Sequence, residues 1–419
     1  MNSRERIKKT LNHIQPDKLP VDFGGMLGTG VNVSTIYKLR QEYGLDKPLT
    51  PVKVIEPFQM LGEIGEDLKK IIGIDTVSLL GSKNFFGFEN NNWKEWKLWD
   101  GTPVLVPKKF NTEKEKDGNV YMYAQGDKDY LPCAKMPERG FYFDLIIRQE
   151  KIADNNLNFE DNLEEFKIIN ESELEYIKSK AEQLYNNTEY SIFASLVQSG
   201  FGDIALVPGP TLKNPKGIRD ITEWYMSLIS RREYIKKVFE KQCEIALENY
   251  KRINNVVGNM IDVVFITGTD FGSQNGLFFS KDLYKELFKP FHFKINNWIH
   301  ENTDWKTFIH SCGSIEPLIS EFIDAGFDVL NPVQISAAGM DPHNLKKNYG
   351  KHISFWGGGV DTQKTLPFGT SKQVRDEVKR NIEIFSLGGG YVYNAVHNIQ
   401  ASIPIENIIT MIETINEYR

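Results

Sequence analysis

The sequence predicts a (β/α)8 barrel of the TIM type, in which parallel strands alternate with helices around one core. Two observations predict it: short β-branched or apolar runs recur along the chain, and a polar turn and an amphipathic stretch follow each of them. Such alternation is typical of a parallel sheet whose faces are covered by helices. The predicted strands are 19–23, 76–80, 191–196, 262–267, 307–310, 328–331, 352–356 and 391–394.

Four helices between or after these strands can be predicted from the spacing of their apolar residues or from the residues at their ends. In the stretch 280–301, apolar residues recur every four positions, which places them on one face. The stretch 315–325 ends before Gly326, a residue suited to a helix C-terminus. A further surface helix is predicted over 371–385, and Pro404 begins the last one, 404–418.

One segment, 83–187, does not follow this alternation of strands and helices. It contains Trp93, Trp96 and Trp99 and then alternating valines and tyrosines separated by Gly, Asn and Lys turns, which is typical of antiparallel ribbons. The sequence therefore predicts a single decorated barrel domain over 1–419, with an inserted β-rich or irregular segment between the second and third strands. A length of 419 residues is compatible with one such barrel.

Composition excludes several classes of function. The chain carries 50 basic and 56 acidic residues, a net charge of −6, so it lacks the basic surface that nucleic acids require. Its charged N-terminus has no apolar stretch behind it, and no run approaches the roughly 18 apolar residues of a membrane span. Three scattered cysteines do not form a disulfide framework. We therefore expect a cytoplasmic protein without a nucleic-acid or membrane partner.

The segment His310-Ser311-Cys312-Gly313 lies where a predicted strand ends. Alternate residues of an extended chain face the same side, so His310 and Cys312 can reach one ion. The carboxyl ends of barrel strands carry the catalytic groups of this fold, and sulfur with imidazole suits zinc. A buried cysteine beside a core histidine also arises by chance, so this pair needs a third ligand to indicate a metal site.

His397 is the candidate third ligand, because it follows the last predicted strand and the ends of all strands meet at one mouth. It could equally bind a loop or a substrate carboxylate.

Other polar residues follow strands at the same mouth: Asp270, Gln274, Gln334 and Asp361. Each aspartate could be a general acid or base, could anchor a metal-bound histidine, or could cap a helix. The run 24–30 contains four glycines but has neither the ending of a P-loop nor dinucleotide-binding spacing. We interpret it as backbone that approaches a bulky ligand.

At these residues the sequence resembles the uroporphyrinogen decarboxylase superfamily, which includes the decarboxylase of haem synthesis and the cobalamin-linked methyltransferases of anaerobic microbes. The resemblance covers nearly the whole barrel. It is carried by 17–25, 270–274, 310–313, 331–334, 358–363, 389–397 and 404–407. Within those motifs, the resemblance implies that Gly25, Gln334, Asp361 and Asn394 are candidate substrate-binding residues.

Two departures distinguish the branches of this superfamily. The decarboxylase carries an arginine-bearing segment after its first strand, whereas 24–30 contains no arginine and the first one beyond it is Arg40. Without those cations a polyanionic porphyrinogen would be poorly held. The methyltransferase branch carries a His-x-Cys and a later Cys as zinc ligands, which match His310 and Cys312. At the later position this chain has His397, which also resembles the Gly-His-Gly of the decarboxylase.

The resemblance thus implies zinc-assisted methyl transfer between a small methylated substrate (a methyl ether, amine or thiol) and a corrinoid (cobalamin) carried by a partner protein. In that reading His310, Cys312 and His397 bind zinc, and Asp270 and Gln274 act on the substrate. The alternatives are decarboxylation of a porphyrinogen without a metal, with Asp270 stabilising a protonated ring, and a non-catalytic barrel that binds a tetrapyrrole or corrinoid. The sequence leaves open whether the chain forms a homodimer.

Overall fold

A computed structural model describes residues 1–196 and 199–419. The strands are β1 (Val52–Glu56), β2 (Leu61–Gly62), β3 (Thr76–Leu80), β4 (Lys94–Lys97), β5 (Pro103–Val106), β6 (Thr112–Lys114), β7 (Val120–Met122), β8 (Ala134–Met136), β9 (Asp144–Leu145), β10 (Ser191–Ser195), β11 (Val263–Thr267), β12 (Lys306–His310), β13 (Val329–Asn331), β14 (Ser354–Trp356) and β15 (Tyr391–Val392).

The α-helices are α1 (Ser3–Leu11), α2 (Val33–Glu42), α3 (Glu66–Ile72), α4 (Glu171–Asn187), α5 (Ile221–Ser230), α6 (Arg232–Val257), α7 (Lys281–Leu287), α8 (Lys289–Asn302), α9 (Glu316–Asp324), α10 (Pro342–Tyr349), α11 (Thr365–Phe368), α12 (Ser371–Phe385) and α13 (Ile405–Asn416).

A curled, seven-stranded parallel sheet forms the centre of the fold, in the order β15-β14-β13-β12-β11-β10-β3. Strands β13 and β14 are buried along their whole length, as expected where helices cover the sheet. All seven strands lie within or next to predicted ones, so the prediction of a mixed α/β fold with a central parallel sheet is confirmed.

The predicted first strand, 19–23, does not form a regular ladder, although it lies between β15 and β3. It makes one parallel bridge, Val21 to Tyr393, and the N–H of Asp75 donates to the carbonyl of Val21 at 2.8 Å. The N–H of Val21 donates to the side chain of Asp75 rather than to a backbone carbonyl. This side chain takes the place of a ladder acceptor, so the segment bridges the two edges of the sheet without being a strand.

Helix α1 covers the amino-terminal end of the sheet. Its residues Ile7 and Leu11 join an apolar cluster with inward-facing residues of the sheet, where Phe193, Phe308 and Trp356 make edge-to-face contacts. The interior is therefore a packed core. Helix α1 therefore closes the amino-terminal end, and the opposite end, where the strands finish, is called the mouth below.

Between β3 and β10 the chain forms antiparallel ribbons. Strands β4 and β5 pair antiparallel, and β6 to β9 form a four-stranded meander. Strand β5 also pairs in parallel with β1, and Val52 lies opposite Val104. The local sequence pattern does not predict this pairing.

The prediction of one continuous helix over 280–301 is wrong. The stretch forms α7 and α8, which meet at Phe288. Pro290, in the first turn of α8, has no N–H to donate, so it begins a helix but cannot continue one. The other predicted helices are present as α9, α12 and α13. Among the described residues, no helix combines the length and apolar character needed to cross a membrane.

Candidate active site

Three potential metal ligands converge at the mouth: His310, Cys312 and His397. One ligand atom from each lies within 4.8 Å of the other two. The Nε2 atom of His310 and the Sγ atom of Cys312 are 3.5 Å apart. A tetrahedral zinc ion with bonds of roughly 2.05 and 2.3 Å would hold such atoms about 3.6 Å apart. The chemistry and spacing of this pair therefore fit zinc.

The neighbouring strand fixes the tautomer of His310. Asn331 ends β13 in register with His310, and its Oδ1 lies 2.5 Å from Nδ1 of the imidazole. The Asn331 amide nitrogen donates to the carbonyl of Trp356 at 2.7 Å, so Oδ1 must face His310 as the acceptor. Nδ1 of His310 thus carries a proton, and the lone pair of Nε2 is directed towards Cys312. This is the tautomer that a metal ligand requires.

Cys312 is half-buried, and Asp270 holds its backbone. The N–H of Cys312 donates to Oδ1 of Asp270 at 2.7 Å. Burial, and then the negative charge of Asp270 with a smaller contribution from Asp203, raises the pKa of the Cys312 thiol well above its usual range. Without a cation beside it, this sulfur is a thiol. The surroundings are suited to a thiolate that is neutralised by a bound metal.

The hydrogen bonding of His397 is less favourable for metal binding than that of His310. Its backbone has a positive φ of 69°, and its Nδ1 accepts the N–H of Asn398 at 2.8 Å. Burial and the neighbouring His310 lower the pKa of His397 to about 3, so the ring is neutral and its proton resides on Nε2. Coordination by Nε2 therefore requires His397 to give up its bond with Asn398.

The glycine run at 24–30 approaches the protein's own side chains. A Cβ atom on Gly28 would lie 3.2 Å from the His310 ring, and one on Gly25 would lie 2.6 Å from Oδ1 of Asp22. The N–H of Gly25 donates to this same oxygen. These contacts within the protein already explain why the run needs small residues, so a bulky ligand is not required to explain the glycines. A substrate contact at Gly25 stays a prediction.

Hydrogen bonds join the loops that carry Asp270, Gln274 and Gln334. Gln334 accepts the N–H of Gly313 and donates to Oε1 of Gln274, both at 2.8 Å. Gln274, itself exposed, donates to the carbonyl of Ser336. Asp270 caps no helix and, within the described residues, bonds no histidine.

The remaining two predicted site residues, Asp361 and Asn394, bond to backbone groups of the protein. Asp361 accepts the N–H of Gln363, and this bond closes a turn. Asn394 donates to the carbonyl of Asp22 at 2.7 Å, while its Oδ1 is buried without a partner among the described residues. A second bond from Asn394, to the carbonyl of Thr29 at 3.4 Å, connects the end of the last strand to the run 24–30. A substrate contact for either residue stays a prediction.

The candidate site residues named from the sequence did not include Asn331, which lay only within the run 331–334, or Asp203. Asn331 could have been found, because it ends the strand beside His310 in the same register. Asp203 lies in an irregular loop after β10 and carried no comparable signal. Burial, together with the negative charge of Asp270, raises the pKa of Asp203 to about 7.

The raised pKa of Asp203 predicts a pH-dependent stability. A carboxyl titrates near 3.9 in an unfolded chain, so the wild type loses stability as the pH rises from about 4 to about 7. Asp203→Asn removes the group that must ionise. We expect the variant to be more stable than the wild type at pH 8 and to lose this advantage at pH 4, as measured by urea unfolding at both values. Equal differences at the two pH values would contradict the raised pKa.

Comparison with known proteins agrees with this fold. Residues 214–418 match the model of the family described as uroporphyrinogen decarboxylase (URO-D). The fold is similar to that of a methyltransferase from Methanosarcina mazei, with a TM-score of 0.55 and 16% identity over 100% of this chain and 99% of the other. No curated protein sequence matches. The matched residues include His310, Cys312 and His397, and the fold is shared along the whole length. Residues 214–418, just under half of the chain, are therefore similar to the uroporphyrinogen decarboxylase family.

Proposed function

We propose that the protein is a methyltransferase that moves a methyl group between a small methylated substrate and a corrinoid carried by a partner protein, with zinc bound by His310, Cys312 and His397. The observation that carries the proposal is the prepared ligand pair: an imidazole whose tautomer is fixed by Asn331 lies 3.5 Å from a cysteine sulfur at the mouth of the barrel. A methyltransferase of the same fold supports this branch of the superfamily.

Zinc at this position would act as a Lewis acid on the oxygen, nitrogen or sulfur atom that exchanges the methyl group. The surrounding residues would hold the metal ligands and the substrate in position for this reaction. Asn331 keeps Nε2 of His310 available, and Asp270 holds the backbone of Cys312. The Asp270 carboxylate, which holds this backbone, would also orient the substrate. Gln274 and Gln334 would keep the surrounding loops in place.

The charges at the mouth disfavour the rival decarboxylase function. Among the described residues, no lysine or arginine lies within ion-pair distance of Asp270, and no cation influences the pKa of Asp203. A substrate with many carboxylates would meet two aspartates at this mouth without compensating cations. A small neutral or cationic methyl donor would meet no such repulsion.

The direct test is methyl transfer to reduced cobalamin. The purified protein is mixed with cob(I)alamin, and methoxylated aromatics, methylamines and methyl thioethers are supplied in turn while the cobalamin absorbance is followed. At least one class should convert cob(I)alamin to methylcobalamin at a rate that depends on protein concentration. If zinc-loaded protein gives no conversion with any class, including in the reverse direction from methylcobalamin to thiols, the proposed function is wrong.

The role of Asn331 gives a separate prediction. Asn331→Ala removes the acceptor that fixes the His310 tautomer, and the zinc affinity should fall by about 10- to 100-fold, the usual effect of removing such a partner. Competition with a chromophoric chelator measures it. Asn381→Ala is the control, because this amide is equally buried but binds the carbonyls of Gly358 and Gly359. An equal loss of affinity in both variants would contradict the specific role of Asn331.

A further inference from the structure

A cavity separate from the mouth lies in the segment between β3 and β10. Its volume of about 350 Å³ is within the range of pockets that bind small organic molecules. The lining comes from β4 and the loop after it, from strands β6, β7 and β8, and from the turn at 137–140. His310, Cys312 and His397 lie outside this lining, so the cavity is a second space with its own chemistry.

Two tryptophan rings form one side of the cavity. Trp96, which is half-buried on β4, packs edge-on against Phe110 with ring centroids 5.3 Å apart. Trp99 is 53% exposed and packs at a tilt against Phe141, also at 5.3 Å. Aromatic side chains that line a concave surface are typical of ligand pockets. Because each ring is held by an aromatic neighbour, both are positioned before a ligand arrives.

The meander β6–β9 supplies another side of the cavity. Lys114 on β6 lies opposite Val120 on β7, and Val120 lies opposite Met136 on β8. Residues that are paired in register project from the same face of a sheet, so these three form one row. All three line the cavity. The row therefore offers an apolar surface, from Val120 and Met136, with the ammonium group of Lys114 at its end.

The charges around the cavity are mostly positive. Lys97, Lys114 and Arg139 line it, and Glu138 is the one acid in the lining, so three positive charges against one negative leave a net charge of +2. Among the described residues, no acid lies within ion-pair distance of any of the three cations. Unpaired cations around a concave surface favour an anionic ligand.

The backbone of Arg139 has an unusual conformation. Its φ of 63° lies in the left-handed region, which an arginine rarely adopts. The N–H of Gly140 donates to the carbonyl of Pro137 at 2.8 Å and closes the turn around Arg139. Glycine or asparagine would suit this position better. A cation is thus presented to the cavity at a position that disfavours it, which is typical of functional sites.

We propose that this cavity binds a small planar aromatic anion. The rings of Trp96 and Trp99 would contact the aromatic plane. Lys97, Lys114 and Arg139 would surround the anionic group and form charge-assisted hydrogen bonds with it. The cavity lies outside residues 214–418, the part of the chain that matches the family model. The inference is independent of the proposed function, because no residue of the mouth contributes to this site.

Calorimetric titration of the purified protein with three probes that share one ring system tests the charge preference. The probes are 2-naphthoate, neutral 2-naphthalenemethanol and cationic 2-naphthylmethylammonium. We expect one molecule of 2-naphthoate to bind per chain, about 10-fold more tightly than the neutral probe, because several exposed ion pairs each contribute a little. The cationic probe should bind least. Added salt should weaken the binding of 2-naphthoate and leave that of the neutral probe unchanged.

Substitutions in the lining separate the rings from the charges. Trp99→Ala should weaken the binding of 2-naphthoate and of the neutral probe alike, by about 10-fold, because both lose a stacking surface. The double variant Lys97→Gln with Arg139→Gln should weaken the binding of 2-naphthoate by about 5- to 10-fold and leave that of the neutral probe unchanged. Damage to the fold would weaken both probes, so this difference is specific to a charged contact.

The chain offers matched controls outside the lining. Trp93→Ala removes an indole ring of the same segment, which Lys53 faces at 5.5 Å from the ring centroid. The double variant Lys108→Gln with Lys109→Gln removes two exposed charges of that segment. Cys312→Ser alters the mouth alone. All three controls should bind 2-naphthoate as the wild type does.

Several results would overturn this inference: no binding of 2-naphthoate, equal binding of the three probes, or unchanged binding in Trp99→Ala. If Cys312→Ser loses the binding of 2-naphthoate, the probe occupies the mouth and the inference is equally wrong. None of these results decides whether the protein transfers methyl groups to cob(I)alamin, so the proposed function stands or fails on its own test.

Discussion

Replacing Cys312 by serine is expected to weaken zinc binding by at least about 100-fold, because a hydroxyl takes the place of the one sulfur ligand and even partners outside the ligand set are worth 10- to 100-fold. Methyl transfer should fall on the order of 1000-fold, since a Lewis acid contributes several kcal/mol to such a transition state. Metal analysis after dialysis and the cob(I)alamin assay measure the two effects.

Cys243→Ser is the matched control for this substitution. Cys243 is buried on α6, and its thiol likewise has a pKa raised by burial, but it lies outside the ligand group. This variant should retain zinc and transfer activity, even if it is less stable. If Cys312→Ser also retains one zinc ion per chain and full activity, Cys312 is not a ligand.

The second large effect concerns stability. Arg219 and Glu165 form a buried ion pair in which side-chain exposures are 1% and 6%. The Arg219 guanidinium also donates to the carbonyls of Asp161 and Lys216. Arg219→Met leaves the Glu165 carboxylate buried and unpaired, which typically costs about 3–5 kcal/mol. Urea unfolding should show a loss of that size.

Arg232→Met provides the comparison for Arg219→Met. Arg232 pairs with Glu286, but both side chains are about half exposed. Such surface pairs contribute roughly 0–1 kcal/mol, so this variant should unfold close to the wild type. If both variants lose the same stability, the burial of the Arg219 pair does not matter.

The barrel strands and the ligand group could be predicted from sequence for a shared reason. Apolar runs mark buried parallel strands, and the carboxyl ends of such strands meet at one face, so His310, Cys312 and His397 could be placed together without knowing any distance. The structure brings these three residues together. A prediction of this kind needs only the strand order and the position of each residue at a strand end.

The other features of the fold and the site depend on long-range contacts, which the local sequence pattern does not predict. Whether 19–23 is a strand depends on Asp75, whose side chain accepts the N–H of Val21. The difference between His310 and His397 depends on which hydrogen bond occupies each Nδ1 atom. The raised pKa of Asp203 depends on burial and on the charge of Asp270 in another loop. No spacing or period in the sequence reveals the Asp75 contact, the bond of His397 with Asn398 or the surroundings of Asp203.

Zinc K-edge X-ray absorption on the purified wild type tests the central claim most directly. The account predicts one zinc ion per chain with one sulfur at about 2.3 Å and two imidazole nitrogens at about 2.0–2.1 Å. A shell with one sulfur and a single imidazole would remove His397 from the site. Zinc bound without sulfur, or protein that takes up no zinc when it is supplied, would contradict the metal site and the methyl-transfer function proposed from it.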